Sequence, residues 1–277
     1  MKAWFSFFWQ TNLHGSVQIL TLTGQGMGKI IVLANQKGGV GKTTTAVNLG
    51  AYLAEMQKNV LLIDFDPQSN LSSSLGIKAE DSGIYEVITG KVNLDDAVKN
   101  TMLDNLNIVP SNINLTGASV ELVDMEYREF VLSKAIKNSR RAWDYILIDC
   151  PPSLGILTIN GLVASEYVII PLQCEYFALE GLSLLFKTIK RVQERLNNGL
   201  KIAGILFTMF DSRTKLSNEV VHEVTSYFKD RVFRTIIPRN VRLSEAPSHS
   251  LPINLYESEC LGAKSYKKFA FEVVERV

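Results

Sequence analysis

The stretch ANQKGGVGKTTTAVN, residues 34–48, decides how the rest of the chain is read. A continuous apolar run, KIIVLA, leads into it, and GKTTTAVNLGAYLAEMQ leads out with apolar residues at helical spacing. A strand, a glycine-rich turn and a helix are expected in that order. Gly38, Gly39 and Gly41 let the backbone turn tightly around Val40, so that successive N–H groups cradle phosphate oxygens. The helix starting near Lys42 adds the positive end of its dipole. Lys42 suits the β- and γ-phosphates of a nucleotide, and the Thr43 hydroxyl suits Mg²⁺. One position departs from the common G-x-x-x-x-G-K-[ST] pattern: Gln36 stands where its first glycine belongs, and Lys37 follows. Either the loop is degraded, or a second lysine has its own task.

Outward from the loop, NVLLID, LNIVP, YILID, EYVIIPL and KIAGILF repeat the short, β-branched apolar pattern. Stretches of helix length such as GLSLLFKTIKRVQERLN and SNEVVHEVTSYFKD separate most of them. Strands apolar on both faces, alternating with helices, give an α/β fold with a mostly parallel sheet flanked by helices. No repeat or Pro/Gly linker divides residues 27–277, which are expected to form one domain. Ligands of such sheets bind beyond the carboxyl ends of the strands. Asp64 and Asp66 fall there, two apart in LLIDFDPQSN, and suit metal hydration and orientation of an attacking water. Asp149, ending the run in WDYILIDCPPSLG, matches the strand-end carboxylate that holds Mg²⁺ beside a phosphate loop, generally through a water. Pro151-Pro152 stiffen the loop that follows, and Cys150 reads as a small buried residue.

Composition narrows the classes further. Over 277 residues the formal charge is +1, so bulk charge does not announce a nucleic-acid or membrane protein. Three scattered cysteines, Cys150, Cys174 and Cys260, form neither a disulfide framework nor a metal-binding pair, and a reducing cytoplasm is the simpler setting. No apolar run is long enough to span a membrane. The aromatic segment MKAWFSFFWQ lacks a signal-like cleavage site and a basic face. Residues 1–26 are therefore expected to be an extension outside the fold, with Met27-Gly28-Lys29 as its start.

KGGVGKTTT, DFDPQ, DCPPSLG, PLQCEYFALEGL and IPRNVRLSEAPSHS together closely resemble the ParA/Soj partitioning ATPases. These belong to the deviant Walker A group of P-loop ATPases, with MinD and the nitrogenase iron protein. The resemblance covers residues 28–277 and implies an ATP- and Mg²⁺-dependent ATPase, weak alone and stimulated by a ParB-like centromere-binding protein. It implies that Lys37 reaches across an ATP-dependent homodimer to the partner's ATP, which answers the question raised by Gln36. Lys42 would be the intrachain phosphate lysine, with Thr43 on Mg²⁺ and Thr44 near the α-phosphate. Asp66 would position or activate the water, Asp64 and Asp149 would support the metal, and Pro238 to Asn240 would lie near the adenine. A cationic group given in trans to developing phosphate charge has the role of an arginine finger.

Local charge qualifies the neutral total. Residues 177–242 carry twelve Lys and Arg against six Asp and Glu, a net +6. Several of these are solvated helix faces, but Arg213 and Arg242 fall on the loops FDSRTK and RNVRLS. Arginines at the matching positions of the resembled family bind DNA without sequence preference, a contact that should be salt-dependent. The implied location is the cytoplasm, on the nucleoid, with no stable membrane association. The main alternative, a MinD-like membrane-cycling ATPase, needs a basic amphipathic tail. The end AKSYKKFAFEVVERV instead mixes Glu272 and Glu275 into what reads as the last helix of the fold.

Overall fold

Alternate residues of each central strand face opposite ways, and both ways lead into apolar cores. Ile30, Val32 and Ala34 enter one core while Ile31 and Leu33 enter the other. Leu61 and Ile63 are divided from Val60 and Leu62 in the same manner, as are Ile146 and Ile148 from Leu147. This is why these strands read as unbroken apolar runs. The computed structural model describes residues 28–80, 82–175 and 178–277. The extension expected over residues 1–26, and Met27, lie outside them.

Seven strands form one sheet in the order β3-β4-β2-β5-β1-β6-β7. They are β1 (Lys29–Leu33), β2 (Val60–Asp64), β3 (Lys99–Asn100), β4 (Leu106–Val109), β5 (Tyr145–Asp149), β6 (Tyr167–Gln173) and β7 (Lys201–Thr208). All neighbours are parallel except β3, which pairs antiparallel with β4 at the edge. The six strands expected from the apolar runs are present; the two-residue β3 has no such run. Helices Lys42–Glu55 and Leu261–Arg276 pack on one face through Leu49, Leu53, Tyr266 and Phe269. Ile156–Ala164, Ala178–Arg195 and Lys215–Phe228 cover the other through Leu162, Leu185, Ile189 and Val224.

The order of strands positions the site. β5 enters between β1 and β2, so that Leu33 and Asp64 both stand in register with Asp149. Three carboxyl ends, with the loops that leave them, converge on one point.

The final helix is part of the fold by charge as well as by packing. Glu272, 5% exposed, accepts the N–H groups of Arg234 (2.7 Å) and Thr235 (2.9 Å) and a bond from Arg276 (3.1 Å). Burial pushes its pKa up, but these donors outweigh it and hold the carboxyl below its ordinary 4.5. Glu272→Ala leaves two part-buried N–H groups without their acceptor and removes one of the hydrogen bonds of Arg276, at a cost of about 1–3 kcal/mol. Calorimetry should show Tm lowered by several degrees at pH 7. Because the folded pKa is depressed, this stabilisation is complete above the unfolded value and fades as pH falls through the folded one. The gap between the two proteins should therefore narrow under acid conditions; a constant gap would assign the loss to packing.

Candidate nucleotide site

The glycine-rich loop leaves β1 and is fastened on both flanks before the helix begins. Asn35 donates to the Pro171 carbonyl in β6 (2.7 Å) and accepts the Lys37 N–H (3.1 Å). The Val40 carbonyl accepts the hydroxyl of Thr208, the last residue of β7 (2.8 Å). Gly39 and Gly41 adopt φ of 71° and 83°, left-handed values that favour glycine. A Cβ on Gly39 would meet nothing within 4 Å, so that position stands clear at the loop's surface.

A cavity of about 590 Å³ opens beside this loop. Gly38, Gly39, Gly41, Lys42, Thr43, Thr44 and Asp66 line it, so most of the expected phosphate-site residues meet in one place. Lys42 is 6% exposed and donates to the Lys37 carbonyl (3.2 Å). Burial lowers its pKa, while Asp149 and, more weakly, Cys150 and Asp66 act against that shift. The Thr43 hydroxyl donates to Asp149 Oδ2 at 2.6 Å. Asp149 Oδ1 is buried and has no hydrogen-bond partner. Burial, then the charge of Asp64, push the Asp149 carboxyl to about 8, against the opposing pulls of Thr43 and Lys42. Asp64 is raised to about 6 by burial, with hydrogen bonds from Ser72 and Asp66 restraining it. A hydroxyl beside a crowded carboxylate with a spare oxygen is the hard, oxygen-only donor set that Mg²⁺ accepts together with phosphates.

The other expected residues lie around this centre. Lys37 is outside the cavity lining, on its rim, with its ammonium paired to Glu175 and its side chain 45% exposed. Asp64 is fully buried behind Asp66. Pro238 pairs with Phe210 just beyond Met209, and Asn240 caps the helix Val241–Glu245 through the Arg242 N–H (3.0 Å); neither lines the cavity. Met209, Pro247 and Ser248 do, as do Gln68, Asn70, Ser73, Ser74 and Pro152. Met209 and the 247–248 pair lie over 160 residues beyond the loop; Pro247 and Ser248 fall within the IPRNVRLSEAPSHS stretch that carries the family resemblance, while no motif marks Met209. Cys150 is fully buried and its thiol pKa is raised by burial, in keeping with a packing residue.

Comparison with known proteins gives this geometry its family. A family model described as an AAA domain matches residues 28–202. The "Chromosome-partitioning ATPase Soj" of Treponema pallidum is 59% identical over 250 residues, 90% of this chain and 98% of that protein. The chain belongs to the ParA/Soj family of partitioning ATPases. Two solved structures share its fold. A Mycobacterium smegmatis cobyrinic acid a,c-diamide synthase with bound ATP analogue and magnesium superposes with a TM-score of 0.78 at 37% identity, covering 90% of this chain and 95% of that one. A plasmid partition protein from Borrelia burgdorferi gives a TM-score of 0.72 at 29% identity, covering 90% and 97%.

In this ParA/Soj-family chain both arginines are exposed and held by neighbouring acids. Arg213 lies on the loop expected for it, but Arg242, also expected on a loop, is the second residue of the short helix Val241–Glu245, because the Asn240 side chain caps that helix. Arg213 forms a two-pronged pair with Asp211 (2.9 and 2.7 Å), and its hydrogen bonds hold the Asp211 carboxyl down at about 2. Arg242 pairs with Glu245 at 2.8 Å. Neither arginine is buried, so both pairs are open to exchange with another anion.

Asp149→Asn is expected to separate folding from the metal-binding role expected of Asp149. At pH 7 a carboxyl whose pKa rises from 3.8 to about 8 on folding costs stability, and that cost grows as pH climbs between the two values. The amide removes the repulsion with Asp64 and Asp66, so Tm without ligand should hold or rise. Magnesium-dependent tightening of nucleotide should fall by roughly 10- to 100-fold, read as loss of the Tm shift on adding MgATP. A normal MgATP shift in the variant would remove Asp149 from the metal site.

Proposed function

We propose that this protein is a DNA-segregation ATPase that dimerises on ATP, binds DNA without sequence preference and hydrolyses ATP under stimulation by a ParB-like centromere-binding protein. The observation that carries the reading is the convergence of the glycine loop, Lys42, Thr43 and Asp66 on one cavity, over Asp149, in a chain of this family. ATP and Mg²⁺ are its ligands, supported by the nucleotide analogue and magnesium of the mycobacterial neighbour.

The loop N–H groups from Gly38 to Thr44, Val40 among them, hold phosphate oxygens, and Lys42 adds a buried positive charge. Thr43 and Asp149 would hold the metal, with Asp64 beside Asp149 supporting it, and Mg²⁺ would supply charge neutralisation at the phosphates. Asp66 orients the attacking water. Phosphoryl transfer asks mainly for such positioning and charge stabilisation. Pro238 to Asn240, outside the cavity lining, would lie near the adenine. Lys37, turned to the rim, serves the second copy's nucleotide.

Arg213 and Arg242 bind DNA phosphates by exchanging Asp211 and Glu245 for them. Each alanine variant should weaken binding to any DNA sequence and reduce the slope of log affinity against log salt by about one. Gel filtration and DNA binding with ATP, ADP and no nucleotide test the switch. Binding that is equal and salt-insensitive in all three states rejects it. No described helix is long and apolar enough to cross a membrane, and the proposed location is the cytoplasm, on the nucleoid.

A further inference from the structure

The turn that carries Asp66 is anchored by a buried carboxylate. Asp64, fully buried at the end of β2, accepts the Asp66 N–H on Oδ1 at 3.3 Å. Its other oxygen accepts both the N–H (2.8 Å) and the hydroxyl (2.6 Å) of Ser72. The same Ser72 oxygen accepts the N–H of Ser111, beyond the end of β4, at 3.1 Å. Ser72 is 1% exposed, so water is not at hand to replace these bonds. Between the two anchors, the Ser69 N–H bonds the Asp66 carbonyl (2.9 Å) and the Gln68 N–H bonds Asp66 Oδ1 (3.0 Å). Ser69 itself is held at φ 54°, a left-handed value unfavourable for serine. A turn bent in that way keeps its shape only while both ends are fixed.

We infer that Ser72 is a positioning residue for ATP hydrolysis: its hydroxyl, joining Asp64 to the Ser111 backbone, fixes the turn that presents Asp66 to the cavity. This rests on the role given to Asp66 above. Without the hydroxyl, Asp64 loses its shortest bond, the Ser111 N–H is stranded, and the turn gains freedom at Asp66. The phosphate loop, fastened separately to β6 and β7, keeps all its bonds. Turnover and nucleotide affinity should therefore part company. A misplacement of about 1 Å at a reacting group can cost roughly 100-fold in rate.

The experiment measures single-turnover ATP hydrolysis and ADP affinity for wild type, Ser72→Ala, Asp66→Asn and the double variant, with Tm for each. Ser165→Ala is the control, a buried serine at the opposite end of β6 whose hydroxyl bonds Gly161 (2.7 Å). Ser72→Ala is expected to slow hydrolysis about tenfold or more, the equivalent of one lost hydrogen bond, with ADP affinity within about twofold. Ser165→Ala should leave the rate unchanged, and the double variant should be no slower than Asp66→Asn, because the two act through one group. Unchanged hydrolysis in Ser72→Ala, a parallel fall in ADP affinity, or additive losses in the double variant overturn the inference. Full activity in Asp66→Asn would defeat the reading of Asp66, and this inference with it; a slow Asp66→Asn with additive losses defeats this inference alone. If Ser72→Ala does not fold, Ser72→Cys keeps the volume with a weaker hydrogen-bonding atom and carries the same expectations.

Discussion

Lys42→Ala is expected to reduce ATP hydrolysis by about 100- to 1,000-fold, the usual cost of removing one preorganised donor from a phosphate or oxyanion site. Lys42 brings a nearly buried ammonium to a cavity wall shared with Asp66 and within reach of the Asp149 charge. Its side chain is already held by the Lys37 carbonyl, so little reorganisation accompanies catalysis. Alanine removes the charge proposed to face the γ-phosphate and leaves the carboxylates less compensated. Single-turnover hydrolysis beside a matched Tm measures the effect. Activity within tenfold of wild type, in a folded variant, would place the reaction elsewhere.

Lys37→Ala should be nearly as damaging for a different reason. Cationic groups supplied in trans to phosphoryl transfer contribute about 10³–10⁵ in rate. Lys37 sits on the rim, paired with Glu175, and does not line its own cavity. The variant should bind ATP normally, fail to dimerise on it and lose most of its stimulated turnover. Mixing decides whether the action is in trans. Lys37→Ala and Asp66→Asn chains, each inactive alone, should recover partial activity together, because one composite site then holds an intact Asp66 and a lysine from the other chain. A mixture that stays inactive, despite forming dimers, would return Lys37 to its own site.

Much of this fold can be read because its strands are buried on both faces and announce themselves as apolar runs. Lys42–Glu55, Ala178–Arg195 and Lys215–Phe228 follow their helical spacing closely. β3 escapes such reading, since Lys99-Asn100 is a partly exposed edge pair with no apolar content. The placement of β5 between β1 and β2 is equally hidden, because strand order depends on crossovers rather than on local pattern. Within the site, glycines and strand-end acids stand out by type and position. Ser72 does not: it is one of several serines in SNLSSSLG, and only its burial against Asp64 distinguishes it. Met209, Pro247 and Ser248 reach the cavity from distant segments carrying no phosphate-site signal of their own.

Those distant segments have a mechanical consequence. Met209 lines the nucleotide cavity four residues before Arg213, and Pro247 lines it five residues after Arg242. Each proposed DNA-binding arginine is thus tethered to the cavity wall by at most about 18 Å of chain, a turn before Arg213 and short helical turns after Arg242. Nucleotide and DNA would then pull on opposite ends of the same two short leashes. Coupling between them needs no relay through the sheet, and stiffening or lengthening either leash should retune the clutch without touching either ligand's own contacts.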